Sequence, residues 1–551
     1  MQNGRHFANR RNSFYYIDKS LLVKEIVKGT GYVKLITRPR RFGKSTNMSM
    51  MREFFEIGRD GEPDPMLFKG LAIEGEKRIF EEWYRKHPVI HINLFAMSAS
   101  DTFESSINFL RAIISEECRR HHYLQDSSHV LDSLKETLLK LEKNDADVGI
   151  VPLEKLLTSL RLISEALKSH YREPCIVLID EYDSPFNHKS QDSFRDKLLS
   201  NLSVFFSYAF KGNRNVLLNV VTGCLRIANE SIFTGANNLA VFDLDSKRFS
   251  KFYGMTHEEL AAVLQDKGLL DHFDEFKTWY NGYNFGGTLV YNTSSVLSHV
   301  SALLQDEAAM PKNHWINTSR NDILESALEG GYNYHVVTRL VAGEAVALPQ
   351  ISDTITYRGL MREDSIWSIL YSSGYLTKVM GSNGEYRIPN AEVKTVFVEF
   401  YKGYVKGKLG LEKLKNLHEA IYTLDAGSIE GLLKELLLSM SYHDTAVSHE
   451  DVYHDVFFGA LFGLNCLSNR EAGHGRSDIE VEFSESLLVA VFEFKRFEGK
   501  DKSLSDTAQR AYNQIFGLGY IELHKARGFK IAAFGVGCSG KDCKVAGGLV
   551  S

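Results

Sequence analysis

The run CIVLIDEYD (Cys175–Asp183) limits the fold more than any other stretch of this chain. Cys175 to Ile179 are apolar without a break, and Asp180 and Glu181 follow at once. A strand that is apolar at every position has two buried faces. It belongs inside a parallel sheet with helices on both sides. Two acids at the end of such a run are costly to bury without charged partners. The run therefore asks for an α/β layer structure with a cation near the carboxyl end of its sheet.

Neighbouring segments meet both demands. YVKLITR (Tyr32–Arg38) reads as a strand, and Gly43-Lys44-Ser45 leads into the amphipathic TNMSMMREFFEI. PVIHINLF (Pro88–Phe95) and NVLLNVVTG (Asn215–Gly223) read as further strands. Helical pattern runs from Asp101 to about His170 and again near Asp192–Phe210. Strands alternating with helices predict a doubly wound α/β domain with a parallel sheet and helices on both sides, and Gly43-Lys44-Ser45 at its first strand-to-helix junction makes a P-loop ATPase domain the expectation. From about Phe252 the pattern becomes mainly helical. It is interrupted by WYNGYNFGGTLVYN (Trp279–Asn292), a glycine-rich hairpin or turn whose aromatics are expected to pack on the ATPase core. Near the end, SDIEVEF and LLVAVFEFKRF read as two strands joined by a short turn. A helix (SDTAQRAYNQIFGLGYIELHKA) and a strand (GFKIAAFGV) follow. The expected organisation is an ATPase domain over 1–250, a helical lid and linker region over 251–440, and a small α/β domain over 441–551.

Composition supports several compact domains. The 551 residues suit roughly three or four of them. With 44% apolar residues, 25% charged residues and a net charge of -5, the chain is no polyanion-coating protein. Contacts to nucleic acid must come from local basic patches. The six cysteines form no paired CxxC units, which argues against structural zinc and for reduced thiols. The N-terminus has no apolar signal core, and VFFGALFGLNCL (Val456–Leu467) is too short to cross a bilayer. The expectation is a cytoplasmic chain with no membrane partner; a homo-oligomer stays open.

The chemistry of the first half points to a nucleotide. Gly43, Lys44 and Ser45 stand at a strand-to-helix junction, where backbone amides and the helix N-terminus favour phosphate. The lysine can reach the outer phosphates and the serine can hold magnesium. Arg41, Phe42 and Thr46 complete the expected cradle. Arg38 stands where the first glycine of a strict phosphate loop would be, and its Cβ constrains the turn. Asp180 is expected in the magnesium shell, and Glu181 beside the attacking water. Thr222 ends the next buried strand where it could sense a γ-phosphate. Arg226 follows, as either an arginine finger or a structural partner for a carboxylate.

A second constellation lies near the C-terminus. Glu493 and Lys495 are two apart on a strand and share a face, while Phe492 and Phe494 face a core. A hairpin can bring Asp478 beside Glu493. Two carboxylates and an ammonium suit a hard Mg²⁺ ion and phosphodiester hydrolysis. Arg476, Arg496, Lys500, Lys502 and Arg510 could contact phosphates or form a solvated face. The histidines and acids around His443–His474 show no fixed ligand spacing, so they read as ordinary side chains.

The stretches FYYIDKSLLVKEI, LITRPRRFGKST, VLIDEYDSP, TGCLRIANESIFTGANNL and WYNGYNFGGTLVYN together resemble a known family. These are the AAA-ATPase-like proteins that carry a C-terminal PD-(D/E)XK nuclease-like domain. The resemblance implies a STAND-like or archaeal-type ATPase with a helical lid, and it makes Arg38 the normal form of the loop. It also implies Asp478, Glu493 and Lys495 as the nuclease signature. Glu471 is implied as a further acid, Gln514 as part of a later motif and Glu450 as an acid of the first helix. The expected function is ATP binding and hydrolysis, with Mg²⁺, coupled to cleavage of DNA or RNA. The alternative is a signalling or defence switch whose last domain binds nucleic acid or a partner without cutting.

Overall fold

A computed structural model describes residues 15–29, 31–58, 67–144, 150–186, 192–227, 233, 238–315, 334–348, 351, 365–382, 384–439, 451–461, 465–472, 475–499, 501–517 and 521–550. The chain divides into two compact units. One is Met1–Ser319 with Pro349–Met380, and the other is Arg320–Leu348 with Gly381–Ser551.

The first unit is built on a five-stranded parallel sheet. Its strands are β1 (Val33–Thr37), β2 (Val89–Asn93), β3 (Cys175–Asp180), β4 (Val216–Gly223) and β5 (Leu239–Phe242), in the order β2-β3-β4-β1-β5. Every residue of β3 is buried, as its apolar run requires, and so is every residue of β1, Lys34 and Thr37 included, whereas the edge strand β5 is half-buried throughout. Helices Lys44–Phe55, Phe103–Arg120, Ser159–Tyr171 and Asp192–Phe210 belong to the same unit. The Ser159–Tyr171 helix buries Leu160, Ile163, Ala166 and Leu167, an apolar stripe at helical spacing.

Register decides what can meet at the carboxyl ends of the strands. Asn93 pairs with Asp180, and Ile179 with Val221, so Asp180 and Thr222 end adjacent strands. Thr222 in turn pairs with Ile36 of β1. Because β4 lies between β1 and β3, Thr222 stands between the loop after β1 and the acids after β3.

Residues beyond β5 form a helical layer in the same unit. A capping box between Thr256 and Glu259 starts helix His257–Lys267. Helices Phe273–Tyr280 and Thr293–Leu303 flank an antiparallel hairpin, β6 (Tyr283–Phe285) and β7 (Thr288–Val290). Met255, Leu260, Leu264, Phe276, Tyr280, Val296 and Val300 make its core. Two short strands come next, β8 (Val346–Ala347) in the second unit and β9 (Thr377–Lys378) in the first. The Thr377 hydroxyl of β9 accepts from the Asn284 amide at 2.9 Å. No helix among the described residues is long and apolar enough to cross a membrane.

In the second unit, β10 (Glu385–Arg387) pairs antiparallel with β8. The main sheet has the order β11-β12-β13-β14-β15. Its strands are β11 (Asn465–Ala472), β12 (Gly475–Phe483), β13 (Leu488–Arg496), β14 (Lys530–Ser539) and β15 (Asp542–Leu549). Only the β13–β14 pair is parallel, joined through helix Leu504–Gly517. That helix lies almost on the backbone of β14. A Cβ at Gly535 would meet the Tyr512 nitrogen at 2.1 Å and the Ala508 oxygen at 2.2 Å. A Cβ at Gly537 would meet the Leu504 oxygen at 2.6 Å. On the other face, Phe494 packs against Phe457 of helix Asp451–Leu461, with ring centres 5.0 Å apart.

Candidate active sites

The loop after β1 is held from behind. Arg38 is fully buried, and its Nη1 donates to the carbonyls of Thr37 at 2.7 Å, Phe242 at 3.1 Å and Asp243 at 2.6 Å. Its guanidinium also lies over the rings of Tyr253 and Phe285. Burial lowers its pKa to about 10, so it stays charged at neutral pH. Where a strict loop would use glycine to relax the turn, this chain uses arginine to bolt the turn to the end of β5. Phe42 likewise points into the core, 4.8 Å from Tyr283 and 5.1 Å from Phe285, so only its backbone remains for the loop. Tyr283 and Phe285 thus pack on the loop after β1, whereas Trp279, Tyr280 and Tyr291 belong to the core of the helical layer. Arg41 has φ 69° and donates to the His314 carbonyl.

The open part of the loop is at Gly43. It caps helix Lys44–Phe55 with φ 86°, a conformation that favours glycine, and a Cβ there would meet nothing within 4 Å. The free space faces the N-terminus of a helix, where amides and dipole favour an anion. Thr46 lies in the first turn. Lys44 Nζ donates to the carbonyls of Arg38 and Pro39, both at 3.1 Å, and contacts Cys224 Sγ at 3.3 Å. Its ammonium is 3.5 Å from Glu181. Burial opposes the charge on Lys44. Even so, Cys224, Glu181, Asp180 and Asp183 hold its pKa above the ordinary lysine value. Burial pushes the Cys224 thiol itself up to about 12, so at neutral pH the carboxylates carry this effect.

Asp180 is fully buried and receives hydrogen bonds from Thr222, Ser45 and the Glu181 amide. Asn93 adds one at 3.3 Å. Burial first, and the Glu181 charge second, raise its pKa to about 6. A serine hydroxyl and a buried carboxylate in contact at a helix N-terminus are hard oxygen donors of the kind a divalent cation takes. Glu181 itself sits at φ 55°, and non-glycine residues in that region cluster at functional sites. Arg226 is paired with Asp243 at 3.4 Å.

Sequence reasoning passed over two neighbours. Asp183 is buried, and its Oδ2 accepts from the amides of Cys224 at 3.0 Å and Leu225 at 2.9 Å. Tyr182 is fully buried, and its hydroxyl donates to Leu225 O at 2.7 Å and accepts from Ile227 N at 3.0 Å. The only signal was a third acid after the pair in DEYD.

In the second unit Glu493 and Lys495 lie on the β13 face that helix Leu504–Gly517 covers. Glu493 is buried, and its Oε1 lies 3.4 Å from Lys495 Nζ and accepts from Gln514 Nε2 of that helix. Glycines 535 and 537 allow the close approach that brings Gln514 there, since Gly535 pairs with Glu493 in the sheet. Ile479 pairs with Phe492, so the next step of the antiparallel register sets Asp478 across from Glu493. Asp478 Oδ2 accepts from the Phe494 amide at 2.7 Å, and the Asp478 carbonyl lies 3.0 Å from His454 Nε2. These two carboxylates are suitable donors for a hard divalent cation. Among the described residues no group of three or more His, Cys, Asp or Glu is placed to hold a metal ion. Glu471 is on β11 opposite Arg476, and its side chain lies outside the described residues. Glu450 and Lys500 lie outside them altogether. Arg510 is tied to Asp501 at 2.9 Å, and Lys502 is exposed. A buried Glu480–His524 pair, 3.0 Å apart, sits on the same face of β12 as Asp478 and was not foreseen.

Comparisons with known proteins agree with this division. Residues 5–233 match the family described as predicted AAA-ATPase, and residues 448–547 match the PD-(D/E)XK nuclease superfamily. The chain is also 25% identical over 555 residues to an uncharacterized protein in the vnfD 5' region of Azotobacter chroococcum mcd 1. That match covers 98% of this chain and 96% of the relative. The chain thus joins an AAA-ATPase-like domain to a PD-(D/E)XK nuclease superfamily domain.

Proposed function

We propose that this chain binds and hydrolyses ATP and couples that cycle to a magnesium-dependent phosphodiesterase acting on DNA or RNA in the cytoplasm. The observation that carries the reading is the row of Asn93, Asp180 and Thr222 along three strand ends, beside Lys44 and Ser45. The amides from Gly43 to Thr46 would cradle the phosphates and Lys44 would neutralise the outer ones. Lys44 would exchange its carbonyl partners for phosphate oxygens. Ser45 and Asp180 would hold magnesium, which supplies charge against the phosphate oxygens. Glu181 would orient the attacking water and take its proton, and Thr222 would contact the terminal phosphate.

At the second site Asp478 and Glu493 would hold the metal ion. Lys495 would orient water and offset charge on the scissile phosphate, with Gln514 fixing the Glu493 carboxylate. The test uses the full chain with ATP, Mg²⁺ and labelled DNA or RNA. The reading expects ATP turnover lost on Lys44→Ala and cleavage lost on Glu493→Ala. Turnover without cleavage of any substrate would leave the last domain as a binding module. Turnover unchanged by Lys44→Ala would sink the nucleotide site.

A further inference from the structure

The residues that follow Glu181 do not drift into a loop. Tyr182 N donates to Thr222 O at 3.0 Å, Asp183 binds the amides of Cys224 and Leu225, and the Tyr182 hydroxyl spans Leu225 and Ile227. The turn after β3 is thereby laced to the tail of β4 from Thr222 to Ile227. The fit is tight. A Cβ at Gly223 would land 2.4 Å from Asp183 Oδ1 and 2.6 Å from the Tyr182 ring. Glu181 sits between Asp180 and this lacing, in a left-handed conformation that the surroundings must enforce. The β4 tail carries Thr222 at one end and Arg226 near the other.

We propose that Asp183 and Tyr182 are positioning residues that lock the β4 tail to the acid turn, so that Glu181, Thr222 and Arg226 keep a fixed mutual geometry during ATP hydrolysis. This rests on the nucleotide-site reading. Neither residue touches the reacting atoms; both act through backbone they hold. A carboxylate oxygen that accepts from two successive amides is a stiff link, because charge-assisted hydrogen bonds are short and strong. Loss of that link leaves the phosphate cradle at Gly43–Ser45 intact while the acid and the β4 tail move independently. The defect therefore falls on turnover rather than on nucleotide affinity.

The experiment compares full-length wild type, Asp183→Ala, Asp183→Asn and Tyr182→Phe, each checked for folding by thermal melting. Asp183→Ala should lower kcat about ten-fold or more while the dissociation constant of a fluorescent ATP analogue changes less than about three-fold. Asp183→Asn, which keeps an acceptor oxygen, should recover most of the loss. Arg226→Ala should cost much less in the Asp183→Ala background than in wild type, since the clamp already sets where Arg226 lies. Amide hydrogen exchange at Cys224, Leu225 and Ile227 should speed up in Asp183→Ala with or without nucleotide. Equal losses in kcat and affinity, additive losses with Arg226→Ala, or unchanged exchange in a folded Asp183→Ala would each overturn the clamp. Failure of the underlying site shows elsewhere, as nucleotide binding indifferent to Lys44→Ala, and the exchange result still decides the clamp.

Discussion

Both sites contain a lysine–glutamate contact of nearly the same length, 3.5 Å for Lys44–Glu181 and 3.4 Å for Lys495–Glu493, yet the two are inverted. In the first the lysine is the buried partner, 3% exposed against 14% for the glutamate. In the second the glutamate is buried at 2% and the lysine is 16% exposed. They also differ in assembly. Glu493 and Lys495 share a strand face by being two residues apart, so any strand places them together. Lys44 and Glu181 meet only because β1, β4 and β3 lie side by side. One site is local and built around a buried acid. The other is topological and built around a buried cation that three acids surround.

The largest effects should follow that inversion. Lys44→Ala and Lys495→Ala should each lower their own activity by about 10²-fold or more, since each removes the charge that would meet a phosphate. Their stabilities should diverge. Lys44→Ala leaves Asp180, Glu181 and Asp183 without their shared cation and should cost about 3 kcal/mol in chemical denaturation. Lys495→Ala leaves Glu493 with its Gln514 bond and should cost about 1 kcal/mol or less. Equal costs would erase the distinction.

Gly535→Ala tests the second site from below. Its Cβ has no room against the backbone of residues 508 and 512, so the helix must lift, at about 3 kcal/mol in stability. Gln514 lifts with it, away from Glu493. Cleavage should fall while ATP turnover stays near wild type. A fully active Gly535→Ala protein would show that the close helix does not position Gln514.

Arg38→Gly installs the residue that a strict phosphate loop carries at this point. Here it should harm, because the guanidinium holds three carbonyls in a buried setting. About 2 kcal/mol of stability should be lost, together with nucleotide affinity. A neutral outcome would mean that the bolt to β5 is dispensable.

These cases mark where sequence was informative. The largely apolar runs of β3 and β4, the glycine-lysine-serine junction after β1 and the paired acids were legible, because burial on both faces and strand-end chemistry leave local patterns. Glu493 and Lys495 were legible for the same reason, since a period of two needs no tertiary knowledge. The side-chain directions of Arg38 and Phe42 were not. Phe42 read as part of the phosphate cradle and Arg38 as a variant entry turn, and only the hairpin at Tyr283–Phe285 and the end of β5 turn their side chains inward. β5 was missed because four half-buried edge residues give no pattern, and β15 because Gly547, Gly548 and Lys544 look like a tail. Asp183 was passed over because its partners are amides of another strand.

The smallest predicted effect concerns pH and belongs to the topological site. Burial first, and the Glu181 charge second, raise the Asp183 carboxyl to about 6. Its unfolded value is the ordinary one near 3.8. The folded state therefore holds more protons than the unfolded state between these values, and stability falls as pH rises through that window and just above it. Lowering pH from about 7.5 to about 5.5 should return on the order of 1 kcal/mol through this group. Glu56, whose pKa is lowered by Arg120 and Arg52 against the effect of burial, acts in the opposite direction only near the ordinary carboxylate range, whereas His87, His91 and His121, held down by burial, oppose it within the window and are common to wild type and variant. The comparison is therefore best made above about pH 5. Denaturation of wild type and Asp183→Asn at the two pH values isolates the term, because the amide does not titrate. On acidification the stability of wild type should change more favourably than that of the variant, by on the order of 1 kcal/mol. An identical change in both proteins would place the buried proton on another group and leave Asp183 ionised beside Glu181 throughout.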